Sequence, residues 1–274
     1  MSQDFDLIIE AGKAEREYWK DLWRFRELFY FLAWRDILVR YKQTVIGILW
    51  SVLRPFLTMI AFVIVFQKVA KLDSPEIPYP LLVFSGLLPW QLFSTAISEA
   101  SGSLISNANM VSKVYFPRII IPISSIIVAM VDFLISFAIF GILCLWYGFA
   151  PSSNIIYLPF FFFLVLLISA GVGVLLAALN VKYRDFRYVV PFIVQFGLYI
   201  SPVGFDSVNV PENWRFLYGV NPMVGVIDGF RWCLFGKGQL YPPSFMASLL
   251  IIMVFTVLGL KYFRATEKTF ADRI

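Results

Sequence analysis

Six long apolar runs, separated by short loops rich in lysine and arginine, dominate this chain. Each is about 20 residues or longer, enough for an α-helix to cross a hydrocarbon layer about 30 Å thick. Apolar types make up 59% of the 274 residues and charged types 15%. A soluble domain of this length cannot hide that much apolar surface. The expected fold is therefore an all-α integral membrane bundle, with crossings near residues 45–69, 81–105, 119–146, 155–179, 187–205 and 244–263. Arg54-Pro55 falls inside the first run, where the missing amide hydrogen of proline predicts a kink or a helix junction. Gly171 and Gly173 predict a close helix approach in the fourth run.

The basic residues assign a direction. Residues 1–42 hold eight of them, and Lys113, Arg118, Lys182, Arg184, Arg187, Lys261, Arg264, Lys268 and Arg273 fall in loops on the same side if there are six crossings. The alternate loops hold Lys71, Arg215, Arg231 and Lys237. Positive charge is retained in the cytoplasm, so both termini are expected there. The layout is then a cytoplasmic region over 1–42, a six-span domain over 43–263 and a cytoplasmic tail over 264–274. Asp4, Asp6, Glu10, Glu15, Glu17 and Asp21, among mixed basic residues, and the lack of an early apolar core or small-residue cleavage site argue against a cleaved signal peptide.

Composition excludes several chemistries. With no histidine and two cysteines, the chain offers no imidazole metal centre, no histidine base and no disulfide framework. The net charge of +5 sits beside the spans, where topology explains it without nucleic acid. No Gly-x-x-x-x-Gly-Lys-Ser/Thr loop is present, so ATP hydrolysis is not expected here, and no cofactor is. Energy for uphill movement would come from another polypeptide.

Five local features remain. Over 18–36, Trp19, Leu22, Trp23, Arg26, Phe29 and Tyr30 recur at helical spacing, which predicts an amphipathic helix lying in the membrane interface. The loop 106–118 predicts a short helix capped by Asn107 or Asn109, with Met110, Val111, Val114 and Tyr115 as an apolar patch for a cytoplasmic partner. Charge in the loop 180–187 is topological, with Asp185 available to Lys182 or Arg184. Glu99 and Asp132 interrupt apolar runs and must face protein or a polar path. Their expected role is a helix-to-helix hydrogen bond or a gate position, because no basic residue lies near them in sequence to complete a proton relay. Residues 202–243 are too apolar for a free loop and too interrupted for a span, which predicts two short helices re-entering from the outer face.

Four segments carry a family likeness, in order along essentially the whole chain. They are Arg40-Tyr41-Lys42-Gln43-Thr44-Val45-Ile46-Gly47-Ile48-Leu49-Trp50-Ser51-Val52-Leu53-Arg54-Pro55, then Phe84-Ser85-Gly86-Leu87-Leu88-Pro89-Trp90, Asn109 through Arg118, and Asn221-Pro222-Met223. The chain resembles the permease subunit of bacterial ABC-type polysaccharide exporters, those for O-antigen, teichoic acid and capsule. The resemblance implies the bacterial inner membrane, a dimer of two copies, and one ATPase subunit under each copy to bind ATP and magnesium. It maps an interface helix to about 18–36, a coupling helix to about 107–115 and re-entrant helices to about 206–232. Its implied cargo is a glycan on undecaprenyl diphosphate, with O-antigen preferred. On this reading Trp50, Phe56, Phe62, Phe66, Phe192, Phe196, Tyr199 and Phe205 line the path, and Arg40, Lys42 and Arg54 meet the lipid diphosphate. Asn109, Met110, Val111, Lys113, Val114 and Tyr115 meet the ATPase. Alternatives are a different cargo on the same architecture, or a membrane enzyme acting on lipid-linked sugars. For the enzyme, the candidate carboxylates Asp185, Asp206, Glu212 and Asp228 are scattered in sequence.

Overall fold

The computed structural model describes residues 18–42, 45–72, 76–236 and 240–273. Helices α1 (Tyr18–Arg24) and α2 (Arg26–Tyr41) precede α3 (Val45–Phe62), which continues as a π-helical stretch over Val63–Val69. Then come α4 (Tyr79–Ser106), α5 (Ala108–Lys113), α6 (Ile120–Trp146), α7 (Leu158–Lys182) and α8 (Phe186–Ile200). Short α9 (Glu212–Tyr218) and α10 (Pro222–Phe235) lead to α11 (Pro242–Thr266), a 3-10 turn over Glu267–Thr269, and α12 (Phe270–Arg273).

Among the described residues, five stretches are long and apolar enough to cross a membrane: Leu49–Val69, Tyr79–Ser106, Ile120–Trp146, Ser153–Lys182 and Pro242–Thr269. The fold is an all-α, multi-pass membrane bundle. The fifth expected crossing, 187–205, is shorter in the structure. Helix α8 has 15 residues and is about 22 Å long, less than the hydrocarbon thickness. It stops at Ile200 because Pro202 forces Ser201 out of helical geometry (φ −93°, ψ 152°).

Helix α4 is the axis of the bundle. It is buried along most of its length and packs on α3, α6, α7, α8 and α10. Small residues allow that crowding. In α7 and α11 the crossing is tighter still, since a Cβ on Gly259 would lie 2.1 Å from the carbonyl oxygen of Gly171.

A second apolar cluster closes the end of the bundle where the described chain begins and ends, called here the near end. It gathers Leu104 of α4, Val111 of α5, Ile120 of α6, Val181 of α7 and Phe263 of α11. Tyr18, Leu22, Phe25, Phe29 and Leu32 pack on the same cluster, a three- and four-residue spacing that turns one face of α1 and α2 inward. Trp19, Trp23, Tyr30 and Trp34 point outward. The recurring set expected over 18–36 therefore divides between two faces. The helix also breaks at Phe25 and runs on to Tyr41. Pro55 causes no break: α3 passes through it, and the geometry changes instead at Val63.

Candidate functional site

At the last turn of α2, Arg40 sits between the two acids that interrupt the apolar runs. Its guanidinium lies 3.2 Å from Glu99 of α4 and 2.8 Å from Asp132 of α6. The Tyr41 hydroxyl donates to the other oxygen of Asp132. One turn earlier, Arg35 donates to the Asp36 carboxylate (2.7 Å) and to the Asn107 side-chain oxygen (3.0 Å). Asn107 thus ties α2 to the end of α4 and makes no side-chain cap for α5. Arg40 lines two cavities. One, of about 600 Å³, is bounded by Arg35, Asp36, Ser98, Glu99 and Asn107. The other, of about 160 Å³, lies between α3, α4 and α6 and is bounded by Trp50, Arg54, Gln91, Thr95, Asp132 and Ser136.

Of the three groups Asp132 is the most enclosed, Arg40 is half-buried and Glu99 is exposed, and an acid set among apolar helices calls for such a partner. The sequence exposed the need but not the partner, which lies 59 residues from one acid and about 90 from the other. The guanidinium expected at the lipid diphosphate is held by two carboxylates here. Of the other two expected diphosphate contacts, Lys42 and Arg54 are exposed, and Arg54 has no ion pair among the described residues.

The eight aromatics expected along a path fall into groups. Phe62 stacks on Tyr199 (6.4 Å, 10°) and leans on Phe66 (5.3 Å), and Phe66 meets Phe205 (6.5 Å). Phe205 in turn contacts Tyr218 of α9. This cluster joins the far ends of α3 and α8. Gly204 permits it, because a Cβ there would lie 2.7 Å from the Phe66 ring and 2.8 Å from that of Phe62. Phe192 and Phe196 form a separate stacked pair on the exposed face of α8 (5.7 Å, 6°). Trp50 and Phe56 are exposed on α3, outside both groups.

The connector after α8 is held by buried polar groups. Arg231 of α10 donates to the carbonyl oxygens of Phe205 (2.8 Å), Val203 (3.1 Å) and Leu82 (3.3 Å). Tyr79 donates to the Gly204 carbonyl, Asn221 to Ser201 (3.0 Å), and Ser207 to Asp228 (2.7 Å). Sequence reasoning counted Arg231 only as a loop charge. The available signal was its place within Gly229-Phe230-Arg231-Trp232, since a charge in an apolar helix must find acceptors.

At the near end, α5 turns Val111 inward and leaves Asn109, Lys113, Val114 and Tyr115 exposed, with Met110 half-buried. Arg118, after the loop, donates its backbone N–H to the Glu267 carboxylate (2.6 Å) and its guanidinium to the Glu267 carbonyl. The Arg264 guanidinium lies over the Tyr18 ring at 4.8 Å. Burial, then the charge of Glu267, raises the Tyr18 phenol above its ordinary value, so the ring stays neutral against that cation. Among the described residues, no cluster of three acids or cysteines could hold a metal ion.

Comparison with known proteins agrees with this architecture. The chain is 28% identical over 239 residues to the O-antigen export system permease protein RfbA of Klebsiella pneumoniae, covering 87% of this chain and 91% of that protein. Its counterpart of the same name in Myxococcus xanthus is 24% identical over 257 residues, 93% of this chain and 98% of the relative. The polysialic acid transport protein KpsM of Escherichia coli is 24% identical over 247 residues, 85% and 91% of the respective lengths. The family described as ABC-2 type transporter matches residues 27–235, which takes in nearly all of α2 through α10 and with them the Arg40 ion pairs and the far-end aromatic cluster. This chain, a transmembrane transporter subunit by fold, belongs to the ABC-2 type transporter family.

Proposed function

We propose that the chain is the membrane subunit of an ATP-driven exporter that moves a glycan, carried on undecaprenyl diphosphate, out of the cytoplasm, with O-antigen as the preferred cargo. The observation that carries this reading is the exposed aromatic face of α8. Helix α8 is too short for the bilayer, has Val190 as its one fully buried residue, and displays Phe192, Phe196 and Tyr199 outward. Such a helix is unsuited to face lipid alone and suited to face a second copy across a path. Aromatic rings present apolar faces to sugars without tight charge locks. The names of the relatives, an O-antigen export system permease protein and a polysialic acid transport protein, support the cargo class.

In this reading the near end is cytoplasmic, because it gathers the basic segments. There are six crossings, α8 completing the fifth with the connector 201–205. Helices α1 and α2 lie at the interface as the N-terminal region 1–42, the spans occupy 43–263, and α9 and α10 re-enter from the outer face. Two copies pair, with an ATPase subunit under each binding ATP and magnesium. Helix α5 with Val114 and Tyr115 receives the ATPase, and closure of the ATPase pair parts α3 and α8 of the two copies. Arg54 and Lys42 attract the diphosphate, and Arg40 joins them when its carboxylates are displaced.

The test is export by cells carrying the paired substitutions Phe196→Ala and Tyr199→Ala. Surface glycan falls at least about tenfold if these rings line the path, consistent with loss of one to two stacking contacts. Unchanged export, with unchanged amounts of protein in the membrane, defeats the assignment. Co-purification of an ATPase and of polyprenyl-diphosphate sugar with the wild-type chain checks the partners directly.

A further inference from the structure

Helix α5 has six residues, far fewer than an isolated helix needs to persist. Its position therefore comes from what it packs on. Its inward residue Val111 is 1% exposed and shares an apolar cluster with Phe263 (0%) and Phe270 (1%). The two rings meet edge to face at 5.2 Å and 78°. Helix α12, which carries Phe270, touches both α5 and α7. The loop leaving α5 is tied to the same segment. The Glu267 carboxylate accepts the Arg118 backbone N–H, an orphan donor just before the first turn of α6, where a negative charge also complements the helix dipole. The outward side of the unit stays open: Val114 and Tyr115 border a cavity of about 490 Å³ with Tyr18, Lys261 and Lys268.

We propose that Glu267 and Phe270, in what the sequence presents as a tail, are positioning residues that seat α5 on α11 and α7. Covalently, α5 joins only α4 and α6. Through Phe270 and Glu267 a push on α5 also reaches α11 and α7, so the near end moves as one block. Without that seat, α5 is held at its start by Asn107 but loses its support from α11 and α12, and gives way under load. The inference rests on the reading of α5 as the surface that receives the ATPase.

The experiment uses the complex of this chain with its co-purifying ATPase, reconstituted in liposomes, and reads glycan exported per ATP hydrolysed. Phe270→Ala assembles normally, hydrolyses ATP, and exports about fivefold or less efficiently per ATP, the loss expected for about 1 kcal/mol of coupling. Phe270→Leu restores most of the yield. If Phe270→Ala does not assemble, Glu267→Gln decides, since it keeps shape and weakens the bond to Arg118. Wild-type export per ATP in the deciding variant overturns the proposal, as does a loss that follows thermal stability alone and is not restored by Phe270→Leu. Tyr115→Ala separates the two readings: if it leaves ATPase binding and stimulation unchanged, the docking role of α5 fails, whatever Phe270 does.

Discussion

Arg40 lies between two carboxylates, and both depend on it. Removing the guanidinium leaves Glu99 and Asp132 facing one another at the edge of the apolar bundle. Removing either acid leaves a neutral pair. Arg40→Ala should therefore lower stability by about 1–2 kcal/mol, discounted from the cost of a fully buried pair because all three groups keep some exposure. Glu99→Gln alone should be mild. Adding Glu99→Gln and Asp132→Asn to Arg40→Ala should recover most of the loss, measured as the unfolding midpoint of the purified chain in one detergent. A triple variant no more stable than Arg40→Ala would show that the knot is not held by charge. Legibility at this scale was partial. Acids inside apolar runs announce a need for partners, but a partner supplied by a distant helix leaves no periodic trace. Tyr41 and Arg231 were missed for the same reason.

Among the elements, the crossing of α7 and α11 is the most tightly constrained. Gly171 and Gly259 bring the two backbones together, and a Cβ on Gly259 would push against the backbone of Gly171, its carbonyl oxygen first. Gly259→Ala should cost about 2 kcal/mol or more through overpacking. Gly141→Ala, at a position with open space around it, should cost nothing. Comparing membrane yields and unfolding midpoints of the two variants checks this. The sequence pointed to this approach through Gly171, because small residues at a helix interface are a local signal. It did not show the fate of α5. Met110, Val111, Val114 and Tyr115 read as one apolar patch, yet the chain leaves helical geometry at Val114 (φ −122°, ψ 137°). That turn separates an inward Val111 from an outward Val114 and Tyr115. Likewise Pro55 looked like the break in α3, whereas the π-helical stretch starts eight residues later, where Phe62 and Phe66 press on Gly204.

For the whole molecule, the bundle has a near end of basic, packed turns and a far end of aromatic and buried polar contacts. Both native cysteines are buried, so a single introduced cysteine can report sidedness with little background. Ser112→Cys should react with an impermeant maleimide only after the inner face of the membrane is opened. Glu212→Cys should react from the outside. The reverse pattern would invert the orientation and with it the direction of export.

The sequence by itself determined the class of the fold, the approximate limits of five of the spans and the charge asymmetry of the loops. Each follows from local quantities: run length against bilayer thickness, and the sign of charge in each loop. Tertiary structure alone decided which residues meet. Arg40 with Glu99 and Asp132, Arg231 with three carbonyls, and Phe270 beneath Val111 are contacts across long stretches of chain. In a multi-pass bundle lipid and protein are both apolar, so hydrophobicity places a helix in the membrane without saying which face meets a neighbour. That choice is made by small residues, ion pairs and hydrogen bonds between helices, and those exist only once the helices have packed.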